Sequence, residues 1–266
     1  MRLILPTDFS ENAFQAAVYT ARLLGVKDTG YTLLHTWFDP DPSLGTWARV
    51  GTGLHQAAMD GMRAWEMRVR EADAFAGADI QAEVIHGPCT KVVEALAKER
   101  KADLVAMGSL GQTGLGFLGS NAAAMVRNGH VPVLVVPAKA HLGGMARILF
   151  ADDRRGASSA ELGLLLHLAR LTGAEIVVAH VGRDGTGAES RLDEAVFGGV
   201  AHRHVQAEGK DVASVLDGMA VDEKAGMIAV LHRDKGFLEG LFHGSTSKQM
   251  ALQAGLPLLV LQEAAR

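Results

Sequence analysis

A glycine-rich segment between a short apolar run and a helical pattern carries the strongest chemical signal in the sequence. It runs from Met107 to Asn121, and five of the twelve residues from Gly108 to Gly119 are glycine. Glycine lets backbone N–H groups approach an anion closely, and the start of the following helix adds partial positive charge. Ser120 and Asn121 add side-chain donors. The segment therefore predicts a phosphate-binding loop.

Other interpretations of this segment are weaker. A flexible connecting loop without a ligand is the simplest alternative. A Walker A loop is excluded, because G-x-x-x-x-G-K-[ST] does not occur. Gly114, Gly116 and Gly119 match the dinucleotide-binding pattern G-x-G-x-x-G, which belongs after the first strand and needs an acidic residue about 20 positions later. Here the pattern follows the fourth apolar run, and residues 137–143 contain no acid.

Residues for catalysis or metal binding are scarce. No G-x-S-x-G sequence and no Ser-His-Asp order marks a nucleophile, so we predict no catalytic residue and at most a weak hydrolytic activity. His202 and His204 would share one face of a strand. Without a cysteine or carboxylate at a known ligand spacing, that pair favours a solvent-exposed face over a metal site. Cys89 lies near a predicted helix start, but a lone cysteine without an assigned histidine is predicted to be inert.

The elements that would position the glycine-rich segment follow from apolar periodicity. Five short apolar runs alternate with four helical patterns, which predicts an α/β domain with a doubly wound parallel sheet. The predicted strands cover residues 3–5, 31–36, 80–85, 104–107 and 133–136. The predicted helices cover residues 11–24, with Ser10 as the cap, and then 54–75, 91–100 and 120–128. The glycine-rich segment joins the fourth strand to the fourth helix.

The chain then repeats itself. Residues 148–152 parallel 4–8, and 169–173 parallel 21–25, at offsets of 144 and 148. Residues 257–261 parallel 132–136 at an offset of 125. A nearly constant offset with one step indicates a duplication with a deletion in the second copy. The deletion falls at residues 183–197, where the long second helix is missing. We therefore expect domains at 1–140 and 141–266.

Several of these residues together resemble the universal stress protein family. They are the opening Leu5-Pro6-Thr7-Asp8-Phe9-Ser10, Gly87-Pro88, the stretch from Ala102 to Ser109, Gly119-Ser120, and the stretch from Val131 to Pro137. The resemblance covers both halves, so the chain looks like a tandem member. It implies two tandem domains, each a five-stranded parallel sheet of order 3-2-1-4-5 with helices on both faces.

The resemblance also implies a ligand. ATP-binding members of the family carry G-x-x-G, nine residues and then G-[S/T], and they hold an adenine nucleotide. For the first domain this implies ATP, ADP or AMP, with Mg²⁺ as a candidate companion ion. Asp8 would face the adenosine beside Pro6 and Thr7, and Thr36 would lie at the end of the second strand. The G-x-x-G corner of the loop would be formed by Met107, Gly108, Ser109 and Gly111. The phosphates would be held by Gly119, Ser120 and Asn121.

Each copy departs from that motif. In the first copy seven residues separate Gly111 from Gly119, two fewer than in the family, so the loop is tighter. In the second copy Leu231 and Asp234 replace both glycines of G-x-x-G. A leucine side chain would fill the space of the ligand, and a carboxylate would repel phosphate. We therefore expect the second domain to be degenerate and to bind no ATP.

Composition narrows the class of protein. Lys and Arg number 26 against 30 Asp and Glu, for a net charge of −4, so the basic excess of a nucleic-acid binder is missing. The lack of a long apolar run argues against a membrane span, and the single cysteine favours the cytoplasm. The resemblance implies pairing of the fifth strands, 133–136 and 258–261, as a pseudo-dimer within one chain. The exposed stripe of the long second helix, present only in the first copy, is a candidate surface for a homodimer. A nucleotide-binding regulatory protein of the stress response is the favoured function, ahead of a dimerising scaffold without nucleotide and of an enzyme.

Overall fold

The computed structural model describes residues 1–38, 47–110, 119–140, 144–182, 192–209, 211–233 and 256–263, with the backbone alone for 47–52. The chain divides into two units, residues 1–133 and 134–266, and the division falls inside one strand. Each unit is described by itself below. The domain boundary near residue 140 stays a prediction.

The first unit alternates strands and helices in the predicted order. Its strands are β1 (Arg2–Thr7), β2 (Gly30–Trp37), β3 (Asp79–His86), β4 (Leu104–Gly108) and β5 (Val133–Val136), the last of which crosses the division. Its helices are α1 (Glu11–Leu24), α2 (Trp47–Glu71), α3 (Cys89–Arg100) and α4 (Ser120–Asn128). The α/β class predicted from the sequence is confirmed.

The sheet of the first unit is parallel, with neighbouring strands in the order β3-β2-β1-β4. Val105 donates its N–H to the carbonyl oxygen of Pro132, 2.9 Å away, which brings the start of β5 beside β4. The central strands are continuous apolar runs, and Leu3, Ile4 and Leu104 are at most 1% exposed. Such runs form strands that are covered on both faces, and each buried leucine or isoleucine stabilises the fold by about 1.5–3 kcal/mol.

The order of strands creates a switch point between β1 and β4. The chain leaves β1 toward β2 and β3 on one side, and it enters β4 on the other side. The connections that follow β1 and β4 therefore diverge, which opens a crevice at the carboxyl ends of these two strands. Ligands of open α/β sheets bind in such crevices.

The second unit repeats this plan. Its strands are β6 (Arg147–Ala151), β7 (Glu175–Gly182), β8 (His202–Glu208), β9 (Met227–His232) and β10 (Leu258–Gln262). Its described helices are α5 (Gly163–Thr172) and α6 (Val212–Asp222). The strands are parallel in the order β8-β7-β6-β9-β10, which is the predicted 3-2-1-4-5 order of a second copy.

The largest difference between the predicted and the observed helices is at α2. Helix α2 begins at Trp47, about seven residues before the predicted start, and ends at Glu71, followed by a short 3₁₀ turn at Asp73–Phe75. Gly51 and Gly53 lie in its first turns, and glycine is a poor helix former. The apolar stripe that marks the helix in the sequence therefore begins later than the helix itself. Helix α2 packs on the unit through Ala58, Met62, Trp65 and Val69, all buried.

Candidate functional site

The turn after β1 holds Asp8 at the carboxyl end of the sheet. The Thr7 hydroxyl accepts a hydrogen bond from the Phe9 N–H at 2.9 Å, and the Asp8 carboxylate accepts one from the Ser10 N–H at 3.1 Å. Phe9 lies in the left-handed region with φ of 64°, which lets the chain reverse within this turn. Ser10 then caps α1 by accepting the Ala13 N–H. As a result α1 starts three residues after Asp8.

The end of β2 is fastened to the same turn. His35 Nδ1 lies 2.9 Å from the carbonyl oxygen of Thr7 and must donate to it, because a carbonyl only accepts. The His35 ring stacks on Phe9, with centroids 4.2 Å apart. Thr36 follows, half-buried, beside Cys89 at the start of α3. His35 therefore fastens the end of β2 to the turn after β1.

The end of β4 shows why glycine occupies position 108. A Cβ atom at Gly108 would lie 2.6 Å from the Asn12 side-chain oxygen, closer than any contact allows. That oxygen accepts the Leu110 N–H at 2.8 Å, and the Gly119 N–H donates to the Ser109 carbonyl oxygen at 2.6 Å. Both described ends of the glycine-rich loop are thus anchored. Asn12 has no motif of its own in the sequence, and its contact joins residues 98 positions apart.

These strand ends and the start of α4 surround one cavity of about 180 Å³. Nine predicted residues line it: Pro6, Thr7, Asp8, Thr36, Met107, Gly108, Gly119, Ser120 and Asn121. Ser109 is buried beneath it and contributes its carbonyl to the Gly119 bond, and Gly111 lies outside the described residues. The sequence reasoning did not assign the other lining residues to the site: Ala13, Leu34, His35, Cys89, Leu110 and Ala122.

The residues that line the cavity offer two kinds of polar chemistry. The Asp8 carboxylate can accept hydrogen bonds from hydroxyl or amino groups. The amides at the start of α4, with Ser120 and Asn121, can donate to an anion, and no acidic residue lies in the first turn of α4. Apolar residues such as Leu34 and Met107 also line the cavity. This combination suits a ligand with a hydroxylated, partly apolar body and an anionic end.

Cys89 is the one thiol in the chain and it faces this cavity. Burial raises the pKa of the Cys89 thiol above its ordinary value, the Asp8 carboxylate adds to the rise, and a hydrogen bond with Thr36 opposes it. A raised pKa keeps the thiol neutral, and a neutral thiol is a poor nucleophile. The geometry therefore agrees with an inert cysteine.

A larger cavity, of about 350 Å³, lies at the amino ends of the strands of the first sheet. It is lined by residues at the amino ends of β1, β2 and β3 and by Arg100 at the end of α3. Helix carboxyl ends, which carry partial negative charge, face such an edge. Because anion-binding helix starts and the switch point lie at the other edge, the smaller cavity is the candidate site.

The second unit keeps the turn after its first strand. Arg154 has φ of 62°, as Phe9 has 64°, and His180 Nδ1 lies 3.0 Å from the Asp152 carbonyl, as His35 does from that of Thr7. The Asp153 carboxylate accepts an N–H from two residues later, as Asp8 does. Asp153 is therefore the counterpart of Asp8. The sequence alignment, which paired Asp152 with Asp8, was wrong by one residue.

An arginine neutralises that carboxylate. Arg233 lies 3.0 Å from Asp153 Oδ1 and also donates to the Gly156 carbonyl, and its side chain is only 9% exposed. Leu231 of β9 stands at the register position of Gly108, as the sequence predicts. The counterpart of the candidate site thus contains an internal ion pair and a leucine. Asp234, Gly244 and Ser245 lie outside the described residues.

The helix start is also displaced in the second unit. Helix α5 begins at Gly163, ten residues after Asp153, whereas α1 begins three residues after Asp8. The first turn of α5 therefore cannot support the carboxylate turn as α1 does.

Among the helices that the structure describes, none is both long and apolar enough to cross a membrane.

Comparisons with known proteins agree on one family. The model of the universal stress protein family matches residues 1–137. The chain is similar to universal stress protein MJ0531 of Methanocaldococcus jannaschii, with 30% identity over 142 residues, 51% of this chain and 81% of that protein. A universal stress protein from Archaeoglobus fulgidus aligns over 99% of this chain and 98% of its own, with a TM-score of 0.75 and 21% identity. A putative universal stress protein from Pseudomonas aeruginosa aligns over 98% of this chain and 92% of its own, with a TM-score of 0.59 and 18% identity. At these identities the two structures establish the fold alone.

Proposed function

Because the chain belongs to the universal stress protein family, we propose that its first unit binds an adenine nucleotide and that its second unit does not. The ligand is ATP, ADP or AMP, held in the cavity between Asp8 and the start of α4. The observation that carries this proposal is the convergence of nine predicted residues on that cavity. Mg²⁺ would accompany a bound triphosphate.

The chemistry of the cavity supports an orientation for the ligand. The adenosine lies toward the Asp8 wall, where the carboxylate accepts hydrogen bonds from ribose or adenine. The phosphates lie toward Gly119, Ser120 and Asn121, where helix amides and side chains donate. Gly108 lies against Asn12, where any side chain would collide, and this close contact fixes the end of β4 that lines the cavity.

The second unit is proposed to be a structural partner of the first. Its carboxylate Asp153 is paired with Arg233, so it has no free charge to offer a ribose. Leu231 takes the place of the glycine against which a ligand would lie. A regulatory role in the stress response follows, in which one nucleotide per chain sets how the protein associates. Pairing through the fifth strands of the two copies remains a prediction from the sequence.

The proposal stops at binding. Among the described cavity residues the one thiol is a weak nucleophile, since the pKa of Cys89 is raised, and no described residue there is placed as an activated hydroxyl. Occupancy of the cavity by ATP or by ADP would then be the signal that controls how the protein associates. Light scattering with and without nucleotide tests whether occupancy changes association.

The experiment is mass spectrometry of the gently purified and then denatured protein, followed by thermal shift with ATP, ADP and AMP, each with and without Mg²⁺. We expect a co-purifying adenine nucleotide that disappears in Gly108→Val. Gly53→Ala is the matched control, because a side chain at Gly53 meets nothing within 4 Å. An empty protein with no thermal shift in any of the nucleotides would contradict the proposal and favour the scaffold function.

A further inference from the structure

Three potential metal ligands meet within the second unit. His202 and His204 lie two positions apart on β8, and Glu194 lies on the short 3₁₀ turn that precedes this strand (Glu194–Phe197). One ligand atom from each lies within 4.8 Å of the others. Glu194 Oε2 is 2.5 Å from His202 Nε2, and Glu194 Oε1 is 3.4 Å from His204 Nε2.

The sequence alone favoured a solvent-exposed face for these histidines, because it contained no carboxylate at a known ligand spacing. The structure supplies that carboxylate from eight residues before His202. Asp193 caps the 3₁₀ turn that carries it, because the Asp193 carboxylate accepts the Ala195 N–H at 2.9 Å. Gly198 and Gly199 then have φ of 54° and 81°, so the chain can double back between the turn and β8.

The ring of His202 is oriented by two further contacts. Its Nδ1 lies 2.9 Å from the Val200 carbonyl, and it must donate there. Its face stacks on the buried ring of Phe197, with centroids 3.8 Å apart and planes 15° apart. The Nε2 atom is thereby aimed at Glu194. Histidines that bind metals usually donate their other ring N–H to a carbonyl or carboxylate in this way.

We propose that Glu194, His202 and His204 bind a divalent transition-metal cation, with Zn²⁺ the best match. Two imidazoles and one carboxylate form a three-ligand set that leaves a fourth tetrahedral position for water. Imidazole nitrogen suits Zn²⁺, Cu²⁺ or Ni²⁺, whereas Mg²⁺ and Ca²⁺ prefer an all-oxygen set.

The three ligand atoms, one from each residue, lie within 4.8 Å of one another, so they must draw together by up to about 1.4 Å around an ion. Ligands about 2.0–2.1 Å from a tetrahedral ion are roughly 3.4 Å from one another. The distance from Glu194 Oε1 to His204 Nε2 already has this value, and the distance from the other carboxylate oxygen, Oε2, to His202 Nε2 must open by about 1 Å. The side chain of Glu194 is 72% exposed and can make that movement without disturbing the core.

The competing account is an ion pair between protonated His202 and Glu194. Burial opposes the charged form of His202, but its hydrogen bonds to Val200 and Glu194 outweigh burial and raise its pKa. In that case the cluster needs no metal. A pair of the same kind exists in the first unit, where His130 Nδ1 lies 2.9 Å from Glu94 without a third ligand among the described residues. His130 is therefore the matched control.

The test uses the full chain without a histidine tag, stripped with a chelator and titrated with Zn²⁺ alone by calorimetry. We expect a site of one Zn²⁺ per chain that is weakened at least tenfold in Glu194→Gln and in His204→Gln, both exposed positions where folding is retained. His130→Gln should bind Zn²⁺ like the wild type. Mg²⁺ at the same concentration should give no signal.

Co²⁺ provides a second measurement, because a tetrahedral Co²⁺ site absorbs visible light more strongly than hydrated Co²⁺. Loss of this absorption in Glu194→Gln but not in His130→Gln supports the proposal. Equal Zn²⁺ affinity in wild type, Glu194→Gln and His204→Gln would overturn it. So would the absence of binding to the wild type, which would leave the ion pair as the role of the cluster.

Discussion

Replacing Gly108 by alanine tests the geometry of the candidate site with one methyl group. The new Cβ would lie 2.6 Å from Asn12 Oδ1, 2.8 Å from its Cγ and 3.1 Å from its backbone carbonyl carbon. Asn12 can withdraw only by breaking its bond to the Leu110 N–H. A lost hydrogen bond costs about 0.5–1.5 kcal/mol, and overpacking adds about 1–3 kcal/mol. We expect the free energy of unfolding of the first unit to fall by about 2–4 kcal/mol.

Tryptophan fluorescence in a urea titration measures this loss. The three tryptophans, Trp37, Trp47 and Trp65, all belong to the first unit, so the signal reports on that unit alone. Affinity for the adenine nucleotide, measured in parallel by calorimetry, should fall at least tenfold. The anchor of the loop at Leu110 is disturbed in this variant even where the unit remains folded.

A double-mutant cycle separates the collision from other effects. Asn12→Ala removes the colliding oxygen but leaves the Leu110 N–H without its acceptor, so it also destabilises the unit. The double variant Asn12→Ala/Gly108→Ala should lose less free energy of unfolding than the two single variants lose in sum. We expect this difference to be about 1 kcal/mol or more. Gly53→Ala should be neutral or stabilise α2 by up to about 1 kcal/mol. If Gly108→Ala behaves like Gly53→Ala in stability and affinity, the account of this position is refuted.

Three further outcomes follow from the structure. Arg233→Ala removes the nearest partner of Asp153 and leaves only the exposed Arg155, 3.7 Å away, so it should destabilise the second unit by about 2–4 kcal/mol without creating a nucleotide site. Differential hydrogen exchange of the two units would show this loss, and unchanged exchange would contradict it. Because its pKa is raised, Cys89 should react slowly with iodoacetamide at pH 7.5 and faster as the pH rises past 9, and a flat pH profile would argue against this. Asp8→Asn removes a charge that raises that pKa, so it should speed the reaction, whereas bound nucleotide should slow it in the wild type.

Some of this fold could be predicted from the sequence because burial leaves a direct pattern. Buried parallel strands are continuous apolar runs, and β4 and β5 lie within a residue of their predicted positions. The same continuity hides the register, since a strand covered on both faces has no alternation to fix it. That is why the sequence alignment of the second copy slipped by one residue and paired Asp152, instead of Asp153, with Asp8.

The contacts that complete each site could not be predicted, because they join residues distant in sequence without a motif. Arg233 reaches Asp153 across 80 positions, and Asn12 reaches Leu110 across 98. Neither Arg233 nor Asn12 belongs to a sequence pattern that would have indicated its distant partner. The carboxylate of Glu194 is close in sequence to His202, but only a 3₁₀ turn and two glycines with positive φ bring it back to the strand.

The stoichiometry of adenine nucleotide binding to the full chain tests the central claim most directly. The account predicts one ATP, ADP or AMP per chain by calorimetry, because the first unit keeps a carboxylate, a glycine at position 108 and a helix start around one cavity, whereas the second unit pairs Asp153 with Arg233. Two nucleotides per chain, or none, would contradict it.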